Sequence, residues 1–214
     1  MTSRFKVRIF LFSTMATVIL ITSCSQKQAT EPNYQSGAII PLKVSNVWRT
    51  QSTFFDSLCN SLSSRIDTFY VVRDTLIDNE RWFTNSSLPH TSYHFTNRSD
   101  GHYHRYQDYS SPTLSIFLMW KYPASMNDSF YIPDTYSYTI VTSISDEVTV
   151  KAGSFNCYQY RWRYNNWPGP NEVYREQAWL SPNVGDIKHL GYIKLPSGRE
   201  YLYYASELVS YRLN

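Results

Sequence analysis

The chain has 214 residues, with 20 Lys and Arg against 17 Asp and Glu and a formal charge of +3. That excess is local. Arg4, Lys6 and Arg8 crowd the N-terminus and the rest is balanced, which excludes a charge-driven nucleic-acid binder because no positive field is left to meet phosphates. With 19 Tyr, 11 Phe and 6 Trp against 7 Gly, the composition favours strands over helices, and the length suffices for one domain whose core needs no covalent staples.

After the basic start, Ile9 through Ile21 carries no charge, and Thr22-Ser23-Cys24 follows. A basic start, an apolar run and small residues before a cysteine read as an export signal, too short for a membrane-spanning helix. Ile21-Thr22-Ser23-Cys24 resembles a bacterial lipobox. The resemblance implies that residues 1–23 are removed and that Cys24 carries lipid; an ordinary signal peptide or an uncleaved anchor is the alternative. Residues 24–38 are polar and read as a flexible tether. A single domain then spans 39–214, beginning near Ile39–Leu42, and no later segment approaches the ~20 apolar residues of a spanning helix.

Strand signals follow at short intervals. Val47–Phe55 is the first, and 51–64 holds either a helical turn or a loop. Ile66–Ile77 turns at Asp78-Asn79 and returns through Arg81–Thr84 as a hairpin. Thr91–Asn97 and His102–Gln107 flank Ser99-Asp100-Gly101, a second hairpin. Leu114–Trp120 ends before Pro123. In 135–144, Tyr136, Tyr138, Ile140, Thr142 and Ile144 share one face, opposite Thr135, Ser137, Thr139 and Ser143. In 155–164, Tyr158, Tyr160, Trp162 and Tyr164 line one face, opposite Phe155, Cys157, Gln159, Arg161 and Arg163. A loop at 167–171 leads to Glu172–Leu180, then short strands at Ile187–Leu190 and Tyr192–Leu195, and Glu200–Leu213 closes the chain. About ten short strands in consecutive hairpins predict an all-β domain: one antiparallel, strongly curved, meandering sheet or open barrel.

With Cys24 lipidated, Cys59 and Cys157 either form a bridge, worth up to about 4–5 kcal/mol in the chain-entropy account, or stay as free thiols. His90, His94, His102 and His104 cluster on the second hairpin. Turning at Asp100-Gly101, it would bring imidazoles together as Zn²⁺ or Cu²⁺ ligands; otherwise they are polar members of an exposed hairpin. No carboxylate or cysteine stands at recognised ligand spacing, so no resident cofactor is implied. Tyr158, Tyr160, Trp162 and Tyr164 form either a ligand groove for an acyl chain or sugar, or part of the core. No G-x-S-x-G, P-loop, dinucleotide or EF-hand pattern occurs. Glu172 with Glu176, and Asp146 with Glu147, read as solvated strand faces rather than a glycosidase pair.

Several phrases carry a wider resemblance. Pro41–Trp48 (PLKVSNVW), Arg73–Phe83 (RDTLIDNERWF), Val148–Tyr158 (VTVKAGSFNCY), Trp179–Lys188 (WLSPNVGDIK) and the closing Glu207–Tyr211 resemble, in that order, a group of exported bacterial lipoproteins without assigned function. Ser45 and Asn79 stand where that group has Gly. The resemblance implies a curved sheet like that of the lipoprotein carriers LolA and LolB, by analogy of fold alone, and brings no catalytic residues. The sequence thus points to a non-enzymatic lipoprotein of the cell envelope, held to a membrane through lipid on Cys24. Resemblance favours the outer membrane, since Ser25 is not the aspartate that marks inner-membrane retention. Its partner would be a hydrophobic ligand, a glycan or an envelope protein bound on the curved sheet. The alternatives are a structural lipoprotein without a small-molecule site, a small envelope hydrolase or a metal-binding protein.

Overall fold

The computed structural model describes residues 37–86, 93–107, 114–132, 137–164, 175–195 and 197–214. Among them run β1 (Val47–Phe55), β2 (Ser61–Ile77), β3 (Glu80–Asn85), β4 (His94–Arg98), β5 (Gly101–Gln107), β6 (Leu114–Lys121), β7 (Ser129–Ile132), β8 (Ser137–Val150), β9 (Gly153–Tyr164), β10 (Arg175–Ser181), β11 (Gly185–Lys194) and β12 (Glu200–Arg212). They make one 12-stranded antiparallel sheet in the order β6-β5-β4-β3-β2-β1-β12-β11-β10-β9-β8-β7. Every neighbour is consecutive in sequence except β1 and β12. Two meanders are therefore joined by pairing of the domain's first and last strands, over Val47↔Arg212 to Phe54↔Tyr204. The edges β6 and β7 follow one another in the chain, so the sheet is a nearly closed up-and-down barrel with its seam between them.

Side chains hold that seam. Trp120 of β6 packs edge-on against Tyr160 and Trp162 of β9, with ring centroids 4.9 and 4.6 Å apart. The Tyr160 hydroxyl donates to the Lys121 carbonyl at 2.7 Å. Around them Phe117, Ile132, Val141, Ala178 and Leu180 complete the main core. A second cluster of Cys157, Ile187 and Leu208 is covered by Trp48, Val148 and Trp179. There the Trp179 indole N–H donates to Asp146 at 3.0 Å and the Trp48 indole N–H to the Val184 carbonyl at 2.6 Å.

Turn chemistry explains most boundaries. Asp78 and Asn79 both adopt positive φ, 54° and 64°, the conformation of a hairpin turn whose twist matches its strands, and Asn tolerates it where most residues do not. The 51–64 stretch is a hairpin rather than a helical turn. The Asp56 carboxylate accepts from the amides of Leu58 (2.8 Å) and Asn60 (2.9 Å) at its tip, and β2 begins at Ser61. The two short strands expected at 187–195 are one strand, β11. Gly191 lets it run through because the Tyr203 ring lies 2.6 Å from where a Cβ would sit. β7, with only 4 residues, was not expected. Ala38, assigned to the tether, belongs to the domain: it is buried and its carbonyl accepts from the Asn183 amide at 2.8 Å. Residues 1–36 lie outside the described residues.

β8 turns the expected side outward. Ser137, Thr139 and Val141 face in and are fully buried, while Tyr138, Ile140 and Ile144 are exposed. The register gives the reason. Thr139 stands directly opposite Trp162, and Val141 opposite Tyr160, on the same face. Two large rings in a close-packed interior leave room only for small neighbours. Thr139 Oγ1 is left without a hydrogen-bond partner. Thr139→Val keeps the shape and removes a stranded hydroxyl, so it should stabilise the fold by about 1 kcal/mol. Thermal unfolding of the two forms checks this; an unchanged or lower Tm would show that the hydroxyl is satisfied in solution.

Candidate functional site

Strand alternation sends His102 and His104 of β5 inward and Tyr103 and Arg105 outward. Their cross-strand neighbours fix their surroundings: Asn97 and Trp120 beside His102, Phe95 and Phe117 beside His104. His102 stacks on Phe95 (5.9 Å, 12°), and His104 stands edge-on to both, 4.8 Å from Phe95 and 5.2 Å from His102. Asn97 Nδ2 donates to the Ile40 carbonyl at 2.8 Å, so its Oδ1 faces the His102 ring 2.9 Å away. His102 therefore carries its proton on Nδ1 and leaves Nε2 as an acceptor. Burial pushes the His102 pKa down to about 3. Burial, followed by the nearness of His102, holds His104 well below its ordinary value. Both imidazoles are neutral at physiological pH.

These rings form one wall of a cavity of about 340 Å³ inside the barrel. Aromatic and aliphatic side chains, among them Ile40, Trp48, Phe69, Phe83 and Met119, make up most of its lining. The facing wall, on β11 and β12, is different in kind. His189 lies opposite Ala178 and Ser206 in register. Its Nε2 donates to Glu176 Oε2 at 3.1 Å, and its Nδ1 lies 3.9 Å from Asp186 Oδ2. The ring stacks flat on Trp162 (5.4 Å, 10°) and stands edge-on to Tyr204. Burial works against its charge, but the hydrogen bond to Glu176 and the charges of Asp186 and Glu176 outweigh it, and the His189 pKa is raised. A charged imidazolium on an indole face is also favourable. Burial raises the Asp186 pKa, with His189 opposing. The Asp186 side chain keeps 46% of its surface free and lines the cavity.

A larger hollow, of about 580 Å³, lies on the rim beside Lys43, Asn46, Asp74, Glu80 and Asn214. Its polar groups are largely engaged with one another or with nearby chain. Glu80 takes two bonds from Arg98 at 2.8 Å, Asp74 pairs with Arg81 at 3.4 Å, and Asn214 bonds Asn46 and Ser45. The interior cavity is the better candidate because its polar groups are few and turned inward.

The structure revises the sequence-derived sites. Of the four clustered histidines, His102 and His104 come together, packed among phenyl and tyrosyl rings. His94 stands on the opposite face of β4 from Phe95, and His90 lies outside the described residues. The described residues, which do not include His90, contain no group of three or more His, Cys, Asp or Glu able to hold a metal ion. Cys59 and Cys157 are free, the first exposed and the second buried. Cys59 sits beyond Phe55 at the β1–β2 tip, about 20 Å along β1 from Trp48, which covers the Cys157 cluster, whereas a bridge needs Cα atoms within roughly 7 Å. Burial, then the charges of Asp146 and Asp186, pushes the Cys157 thiol up to about 12. Tyr158, Tyr160 and Trp162 share the inner face as expected. They pack in or against the core rather than lining an open groove: Tyr160 is 0% and Trp162 4% exposed. The side chain of Tyr164 lies outside the described residues.

Glu176, Asp186 and His189 were not singled out as a group. Glu176 shares its strand parity with Ala178 and Leu180, both fully buried, and that was the available signal. Asp186 and His189 differ in parity and reach the same cavity only through the register shift opposite Trp179/Leu180, which nothing in the sequence marks.

No family model matches the chain, and no curated protein matches it in sequence. It is similar to two solved structures. One is a putative lipoprotein from Parabacteroides distasonis ATCC 8503, 14% identical with a TM-score of 0.45, covering 82% of this chain and 99% of that one. The other is a putative exported protein with YmcC-like fold from Bacteroides fragilis NCTC 9343, 12% identical with a TM-score of 0.44, covering 83% of this chain and 100% of that one.

The imidazole pKa values set the sign of a pH dependence. His102 and His104 are held below 6.5 by the fold, so the unfolded chain binds more protons as pH falls through that range, and stability drops. Each contributes at most about 1.4 kcal/mol per pH unit. His189 is raised, so its contribution is full below 6.5 and lost as pH rises through its folded value. Chemical denaturation from pH 7.5 to 4.5 should show the acid loss, and His102→Phe should reduce its slope. An unchanged slope in the variant would place the acid sensitivity elsewhere.

Proposed function

We propose that this chain is a lipid-anchored lipoprotein of the cell envelope, without a catalytic role, that holds a small hydrophobic ligand inside its barrel. The interior cavity carries the reading. At about 340 Å³ it lies at the lower end of ordinary small-ligand sites, roughly 300–1,000 Å³, and like them it has apolar walls with few polar groups. The anchoring half rests on the uncharged run Ile9–Ile21 and on Ile21-Thr22-Ser23-Cys24, with the outer membrane as the destination. A second reading, a glycan or protein partner on the outside of the sheet, is favoured by the exposed Tyr131 and Tyr138, whose rings lie 5.0 Å apart beside exposed Ile140.

The fluorescent probe 1-N-phenylnaphthylamine should brighten on micromolar binding to the wild-type chain. Ser206→Phe, which pushes a ring into the cavity from β12, should weaken that binding at least tenfold. Binding unaffected by the variant would place the probe outside the barrel. For the anchor, wild-type protein expressed in a Gram-negative host should incorporate labelled palmitate and fractionate with membranes. Cys24→Ala should lose the label and accumulate with its signal uncut; a fully processed, membrane-bound variant would sink this half of the proposal.

A further inference from the structure

Two polar groups of the cavity remain unmet. The Asp186 carboxylate accepts no hydrogen bond from the described residues. Its ion contact is His189 Nδ1 at 3.9 Å, and that imidazole already gives its other N–H to Glu176 at 3.1 Å. Thr50, only 8% exposed, lines the same cavity, and its Oγ1 has no partner. Thr50 and Asp186 lie on β1 and β11, strands separated in the sheet by β12 alone. A carboxylate that lines a largely apolar cavity without a protein donor is poorly satisfied, so a ligand that brings one is favoured.

The surroundings narrow the donor's class. No Lys or Arg is among the described residues that line the cavity; Lys188, next to His189, bonds Glu207 instead at 2.7 Å. His102 and His104, on the facing wall, are uncharged. His189, whose pKa is raised, lies 3.9 Å from Asp186 but is shared with Glu176, so an anionic ligand would meet two carboxylates against one imidazole, whereas a cation would meet a carboxylate beside aromatic faces.

We propose that the cavity selects a small apolar amine, with its ammonium group on the Asp186 carboxylate, Thr50 Oγ1 as a second hydrogen-bonding point, and its body against Trp48, Phe69 and Trp120. This rests on reading the cavity as a ligand site. The three aromatic residues come from β1, β2 and β6, all in the first meander, while the ammonium sits on β11 in the second, so the ligand would bridge the two.

Calorimetric titration of the purified full chain at pH 7.5 with 2-phenylethylamine, 2-phenylethanol and 3-phenylpropanoate tests it. The amine should bind at least tenfold tighter than the alcohol, and the carboxylate should bind more weakly than either. Asp186→Asn should bring the amine down to the alcohol's affinity, and Thr50→Val should cost it about two- to fivefold. The wild-type comparison decides the matter even if a variant fails to fold. Alcohol or carboxylate binding as tight as the amine would overturn the ammonium assignment and leave the apolar-ligand reading standing; no binding by any of the three would overturn both.

Discussion

Trp120 is the side chain on which the interior depends. It stands one residue from the end of an edge strand that has no ladder partner on its free side among the described residues, and it lies against two aromatic rings from the other half of the sheet. Burying a tryptophan removes about 150–250 Å² from water, a gross gain of roughly 4–6 kcal/mol at ~25 cal/mol per Å². One such contact and the Tyr160 hydroxyl do at the seam what a row of backbone hydrogen bonds does elsewhere in the sheet. The cavity sits behind that seam: Trp120, Met119, His102 and His104 form part of its wall. Were β6 to swing away, the wall would go with it and the buried imidazoles would meet water.

The interior separates charge by strand. On β5, histidines are kept neutral by rings on every side, and one is oriented by a single amide. On β11, the hydrogen bond to Glu176 and the charges of Asp186 and Glu176 raise a histidine's pKa against the opposing cost of burial. The same residue type is thus held neutral on one wall and favoured toward its charged form on the other. What differs is the neighbour opposite in register: Phe95 and Phe117 for His104, Ala178 and Ser206 for His189. The small pair leaves space for Glu176 and Asp186 to approach.

The fold was largely legible in the sequence because turn residues and alternation are local. Val47–Phe55 matches β1 in full, and the turns at Asp78-Asn79 and Ser99–Gly101 fall where their residue types put them. The inner face of β9 could be read from its aromatics. β8 could not, because its buried side is the polar one, and which side is buried depends on Trp162 and Tyr160 across the ladder. The candidate site was less legible for a related reason. His102 and His104 stood out as a cluster, but that their rings pack against Phe95 and Phe117 follows from cross-strand register, which no spacing rule supplies. Asp186 and His189 share a cavity only by virtue of a bulge in β11, and bulges leave no signature in a single sequence.

The inverted faces of β8 change what selection can act on in that strand. At Thr139 and Val141 the constraint is size, since Trp162 and Tyr160 occupy the adjoining space, while polarity is secondary. At Tyr138, Ile140 and Ile144 solvent or a partner is the neighbour, and size is free to drift. Substitution along this stretch should run against the usual hydropathy gradient, with small polar positions held constant and large apolar ones variable. A profile built on hydrophobicity would align such a strand one residue out of phase with its own barrel.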